Sequence, residues 1–101
     1  MELGGWIYIM TNYEKTTLYI GVTSDLRSRV YDHQNKIYPD SFTAKYNLIY
    51  CVYFEDFQSI EEAINREKQL KKWNRSKKET LINNFNKNWN DLTEVINEWD
   101  E

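Results

Sequence analysis

Residues 18–33 read LYIGVTSDLRSRVYDH. The first part is β-branched and aromatic around a glycine, and the rest is polar with recurring apolar positions. This predicts a short strand running into a helix. Thr23 or Ser24 is the expected N-cap, and Asp25 in the first turn complements the helix dipole. At about 100° per residue, Leu26, Val30 and Ile37 fall within about 40° of one another and mark an inward face. Arg29 lies on the edge of that face and His33 in its middle, where local stability alone would favour leucine.

Outward from this stretch, residues 6–11 (WIYIMT) and 17–22 (TLYIGV) read as two strands joined by the short NYEKT connection, which predicts an antiparallel hairpin. Alternation places Trp6, Tyr8 and Met10 on one side of the first strand and Ile7 and Ile9 on the other. It places Leu18, Ile20 and Val22 on one side of the second, with Tyr19 and Gly21 opposite. If Tyr8 and Tyr19 share a sheet face, Gly21 leaves a hollow beside them. The helix is expected to reach about Lys36 and stop before Pro39, with 39–47 a loop. Residues 48–54 (LIYCVYF) are apolar throughout, as in a strand covered on both faces.

Ser59 with Glu62 forms a capping-box pattern that opens a helix to about Trp73. Ser76 with Glu79 repeats it for a helix through about Phe85. Asp91 with Glu94 repeats it again, for an acidic C-terminal helix at about 91–99 carrying Leu92, Val95, Ile96 and Trp99 on one face. The order β-β-α-β-α-α makes an α+β domain: a small three-stranded antiparallel sheet flanked by helices. At 101 residues, the expectation is a single domain over 1–101.

Composition narrows the class. Hydrophobic residues make up 41% and aromatics 16%, with eight Tyr and four Trp. No window approaches the ~18 apolar residues of a membrane span, and the N-terminus lacks a secretory pattern. The lone Cys51 has no disulfide partner and reads as a buried filler. These features fit a soluble cytoplasmic protein. The net charge of −3 is unevenly distributed. Residues 66–78 (REKQLKKWNRSKK) carry seven bases and one acid, whereas residues 88–101 carry five acids and no Lys or Arg. A basic working surface is therefore compatible with overall acidity.

On the helix from 60 to 73, Glu67 falls inside the arc set by Ile60, Ala63 and Ile64. A carboxylate there must be paired, hydrated in a cleft or bound to a metal, since burying it bare is costly. Periodicity leaves two readings open: an Arg29–Glu67 bridge that merely joins two helices, or a site to which both contribute.

The ordered set WIY at 6–8, YIG at 19–21, Arg29, His33 and Glu67 resembles the GIY-YIG nuclease domain, with Trp6 where the family has glycine. The pieces LYIGVTSDLRSRVYDH, FTAKYN, YFEDF and EEAINREKQLKKW resemble its small stand-alone bacterial subgroup over roughly residues 5–90. The resemblance implies a DNA endonuclease, a phosphodiester hydrolase using one divalent metal, Mg²⁺ or Mn²⁺. It implies that Glu67 is the protein's metal ligand and that Tyr8 acts as, or helps position, the general base. Tyr19 and Arg29 would hold the phosphate, and His33 would orient Tyr8 or a water. Gly21 belongs to the floor of that site, and Lys45 and Tyr46 are expected phosphate neighbours.

The basic run, with Lys71 and Lys72, would contact DNA, and Trp73 could stack on a base. The alternative is a non-catalytic nucleic-acid-binding module on the same scaffold. A bare domain of this size also leaves room for a protein partner that supplies specificity. The acidic tail would serve either as a docking helix or as cover for the domain's own core.

Overall fold

A computed structural model describes residues 4–99. Three strands form one antiparallel sheet: β1 (Gly5–Thr11), β2 (Leu18–Thr23) and β3 (Tyr50–Phe57), in the order β2-β1-β3. The helices are α1 (Leu26–Gln34), α2 (Phe42–Lys45), α3 (Ile60–Lys71), α4 (Arg75–Phe85) and α5 (Thr93–Asn97). The expected α+β architecture is present. A one-turn helix, α2, is added where a plain loop was expected.

The sheet separates two apolar layers. Ile7, Ile9 and Ile20 face one way and pack with Val52, Ala63, Leu70 and Ile82, so α3 and α4 cover this face. Tyr8 and Met10 face the other way with Cys51, against Leu26 and Val30 of α1 and Ile96 of α5. The alternation of β1 and β2 thus assigns their faces as predicted. Each fully buried Leu or Ile in these layers contributes roughly 1.5–3 kcal/mol relative to exposure.

β3 departs from its expected bounds at both ends. Leu48 and Ile49 precede it, and the polar Glu55 and Asp56 extend it by pairing with Ile7 and Trp6. A register shift opposite Ile9 and Met10 leaves Val52 out of the pairing. This bulge puts Val52 and Tyr53 into one layer and Cys51 into the other. Cys51 is fully buried, and burial pushes its thiol pKa up to about 12, consistent with an inert filler. Its backbone bonds outward: Leu92 N donates to Cys51 O at 2.8 Å, and Cys51 N donates to Asp91 Oδ1 at 3.1 Å.

Not every cap is the expected residue. Ser59 caps α3 through Glu62 N and bonds the Glu62 carboxylate, as its capping-box pattern predicts. Asp25, rather than Thr23 or Ser24, caps α1 by accepting from Ser28 N. Asn74, rather than Ser76, caps α4 by accepting from Lys77 N at 2.9 Å. Glu79 pairs instead with Arg75 at 2.8 Å. Asn74→Ala is therefore expected to cost about 1 kcal/mol of stability and Ser76→Ala much less, measurable by urea unfolding. Equal effects would return the cap to Ser76.

Ile37 lies beyond the end of α1 and is exposed, so Leu26 and Val30 alone form its apolar face. Trp6 stacks on Trp99 at 5.2 Å and meets Phe54 edge-on at 5.9 Å. The tryptophan at the first motif position thus docks the segment after α5 against the sheet. Arg27 on α1 adds donor bonds to the Ile96 and Trp99 carbonyls. No described helix is long and apolar enough to cross a membrane.

Candidate active site

The β1–β2 pairing sets Tyr8 directly opposite Gly21. Tyr8 and Tyr19 share a sheet face, with ring centroids 6.3 Å apart. The expected hollow above Gly21 is filled by the Tyr8 phenol. A Cβ at position 21 would lie 2.4 Å from both Cζ and Oη of Tyr8. Gly21 therefore makes room for Tyr8 and is not an open floor.

From α1, Arg29 and His33 reach down to the same phenol. Tyr8 Oη and His33 Nε2 are 2.8 Å apart, and His33 Nδ1 is 3.0 Å from Thr43 Oγ1. Thr43 Oγ1 lies 3.1 Å from Ser41 Oγ. The Arg29 guanidinium lies close enough to the phenol for its charge to act on the ring oxygen. His33 Nε2 is the hydrogen-bond partner of this wholly buried hydroxyl, so the phenol proton has that nitrogen as its acceptor. The neutral ring then carries its proton on Nδ1 and donates to Thr43. The result is a hydrogen-bonded chain, Tyr8 to His33 to Thr43 to Ser41, running from the sheet to α2. Sequence reasoning missed Ser41 and Thr43, although Ser41 in its N-cap position was a readable signal.

Burial dominates the electrostatics. It raises the Tyr8 pKa well above the usual phenol value, with Arg29 opposing the shift only in part. Burial also lowers the His33 pKa, reinforced by the Arg29 charge and opposed by Asp32. The neighbouring Tyr8 phenol pushes the Arg29 pKa up, against desolvation. At neutral pH the site thus holds a neutral phenol, a neutral imidazole and a guanidinium. Arg29 Nε is buried without a hydrogen-bond partner. Among the described residues no carboxylate lies within ion-pair distance of Arg29, so the Arg29–Glu67 bridge that periodicity left open is not formed.

A cleft of about 310 Å³ opens beside this cluster, lined by Tyr19, Arg29, His33, Lys36, Tyr38 and Phe42 among others. Tyr8 is wholly buried behind it. Lys45 and Tyr46 sit exposed at the far end of α2, next to the cleft through Phe42.

Glu67 is not brought into the cleft lining. It lies on α3, which packs on the opposite sheet face, and its largely buried carboxylate pairs with Lys71 at 3.3 Å. Lys72 is exposed at the end of α3. The Trp73 ring is flanked by Arg66 at 5.3 Å and Lys77 at 5.4 Å and packs on the core, so its faces are already engaged.

No group of three His, Cys, Asp or Glu that could hold a metal exists among the described residues. This argues against a protein-built cage of the zinc type. A single carboxylate does suit Mg²⁺, which keeps most of its waters and takes one or two protein ligands. The donor chemistry of Glu67 is compatible with that ion.

Residues 4–80 match the GIY-YIG catalytic domain. A "UPF0213 protein" of Syntrophus aciditrophicus (strain SB) is 31% identical over 77 residues, covering 76% of this chain and 87% of that protein. No solved structure matches at a comparable level. With its two motif tyrosines, arginine and histidine gathered at one cleft of a three-stranded sheet, this chain belongs to the GIY-YIG family, a family of nuclease type.

Proposed function

We propose that this chain is a metal-dependent DNA endonuclease that hydrolyses a phosphodiester held in the cleft. The observation that carries the reading is Arg29, a guanidinium on the cleft wall with no ion-pair carboxylate and an unpartnered Nε. A bound phosphate supplies the missing anion, and Arg29 suits a forked contact to it. Lys36 and Tyr19, which also line the cleft, add a charge and a hydroxyl.

Proton handling follows from the Tyr8–His33 pair. Once a phosphate draws Arg29 toward the cleft, the Tyr8 oxygen meets the attacking water. As the water oxygen bonds to phosphorus, its proton passes to the Tyr8 oxygen, and the phenol's own proton moves to His33 Nε2. The P–O bond to the leaving group breaks, and that oxygen takes a proton from solvent. A high phenol pKa does not obstruct this relay, because Tyr8 never has to release a proton without His33 to receive it. Glu67 has donor chemistry that suits Mg²⁺ or Mn²⁺ and lies outside the cleft lining; an ion held there would supply positive charge toward the nucleic acid, and no step of the relay passes through it.

A purely binding module has weaker support, because Trp73, its proposed stacking residue, is covered by Arg66 and Lys77.

The test is cleavage of labelled single-stranded, duplex and branched DNA with Mg²⁺ or with chelator. Cleavage is expected only with metal, and Glu67→Ala is expected to lower it by about 10²-fold or more. The acid limb of the rate profile is also expected to lie below the ordinary histidine value. His33 must be neutral to accept the proton, and burial and Arg29 both lower its pKa. Activity is thus full above that depressed pKa and falls as pH drops through it. Metal-loaded protein that leaves every substrate uncut would defeat the proposal.

A further inference from the structure

Exposed aromatic surface is concentrated at one place. Of the eight large exposed apolar side chains among the described residues, Tyr31, Ile37, Tyr38, Phe42 and Tyr46 all fall within 31–46. Tyr38 and Phe42 line the cleft. Phe42 and Tyr46 lie one turn apart on α2, with ring centroids 4.7 Å apart, and are 48% and 56% exposed. Core packing does not account for these rings, because Thr43 and Ala44 are what bury α2.

The segment is also held in place. Lys36 and Asn47 bracket it in left-handed backbone conformations, with φ of 50° and 58°. Their side chains meet, Lys36 Nζ donating to Asn47 Oδ1 at 2.5 Å. Thr43, between the two rings, is the residue bonded to His33. The aromatic pair is therefore fixed relative to the imidazole.

We propose that α2 and the loop before it form a base-stacking subsite, so that the cleft takes an unpaired nucleotide. Its phosphate lies toward Arg29 and Lys36 and its base against Phe42 and Tyr46. The phosphate half rests on the nuclease reading. The base half rests on the exposed rings. In a duplex both faces of each base are already stacked, whereas an unpaired base has a face to offer. A cleft of about 310 Å³ is at the small end of ligand pockets, with room for one nucleotide and none for a length of duplex.

The experiment is fluorescence anisotropy, in chelator so that nothing is cut. It uses a short labelled single strand, the same strand made abasic, and the matching duplex. The normal strand is expected to bind roughly tenfold more tightly than the abasic one. Phe42→Ala should remove most of that difference, Phe42→Trp should keep it, and duplex binding should not respond to either. Phe42 is half exposed, so these variants are expected to melt like the parent.

Equal binding of normal and abasic strands, no binding of either, or an unaltered Phe42→Ala variant would overturn the subsite. Base-dependent binding without metal-dependent cleavage would keep the subsite and remove the nuclease reading. Cleavage without base dependence would do the reverse.

Discussion

Tyr8→Phe is expected to slow phosphodiester cleavage by about 10²- to 10³-fold while the protein stays folded. Phenylalanine keeps the ring that fills the space opposite Gly21, so the packing of the sheet face is retained. The oxygen that bonds His33 and sits beside the Arg29 charge is lost. With it goes the proposed relay that carries a proton from the attacking water to His33. A second signature separates this from a structural effect. The phenol donates to His33 Nε2 and so favours the neutral ring. Without that donor the His33 pKa rises, and the acid limb of any residual activity moves to higher pH. Single-turnover rates across the histidine range, with a thermal melt alongside, measure both. A variant with parental rate and unmoved limb would take Tyr8 out of the reaction.

Gly21→Ala is expected to cost about 1–3 kcal/mol of stability and most of the activity at once. The new methyl would lie 2.4 Å from Tyr8 Cζ and Oη and 2.8 Å from Cε1. Residues 8 and 21 are paired across the hairpin, so neither backbone can retreat without breaking the ladder. The ring must move instead, and its hydroxyl leaves His33. Denaturant unfolding reads the first effect, and the ring nitrogen resonances of His33 read the second. Parental stability together with unshifted His33 signals would show that the sheet absorbs the methyl and that the close approach is not needed.

The residues whose faces were legible are those on strands with clear alternation or helices with clear period. Tyr8 and Tyr19 came from period two, and Arg29 and His33 from the turn spacing of α1. Glu67 shows the limit. Its helix period marks it correctly as half-buried, but a helix alone does not say which side of a sheet it will cover. α3 covers the face of Ile7 and Ile9, away from Tyr8. β3 was blurred because it is apolar at nearly every position and is re-phased by a bulge at Val52. Its polar end looked like loop until Glu55 and Asp56 found partners on β1. The helix that Ser41 caps and that holds Thr43 is too short to show any period, so the link from His33 to α2 was invisible.

A three-stranded sheet has two outer edges, and an open edge invites another chain to add a strand. The outward-facing N–H and C=O of Cys51 are both occupied, one by the Asp91 carboxylate and the other by the Leu92 backbone. Beside it, the bulge at Val52 bends the same strand. Those contacts look minor as stability features, yet they close part of the outer edge of β3 to a second chain. The segment after α4 therefore acts as edge protection, leaving fewer free backbone groups along β3 for a second copy of the chain to pair with.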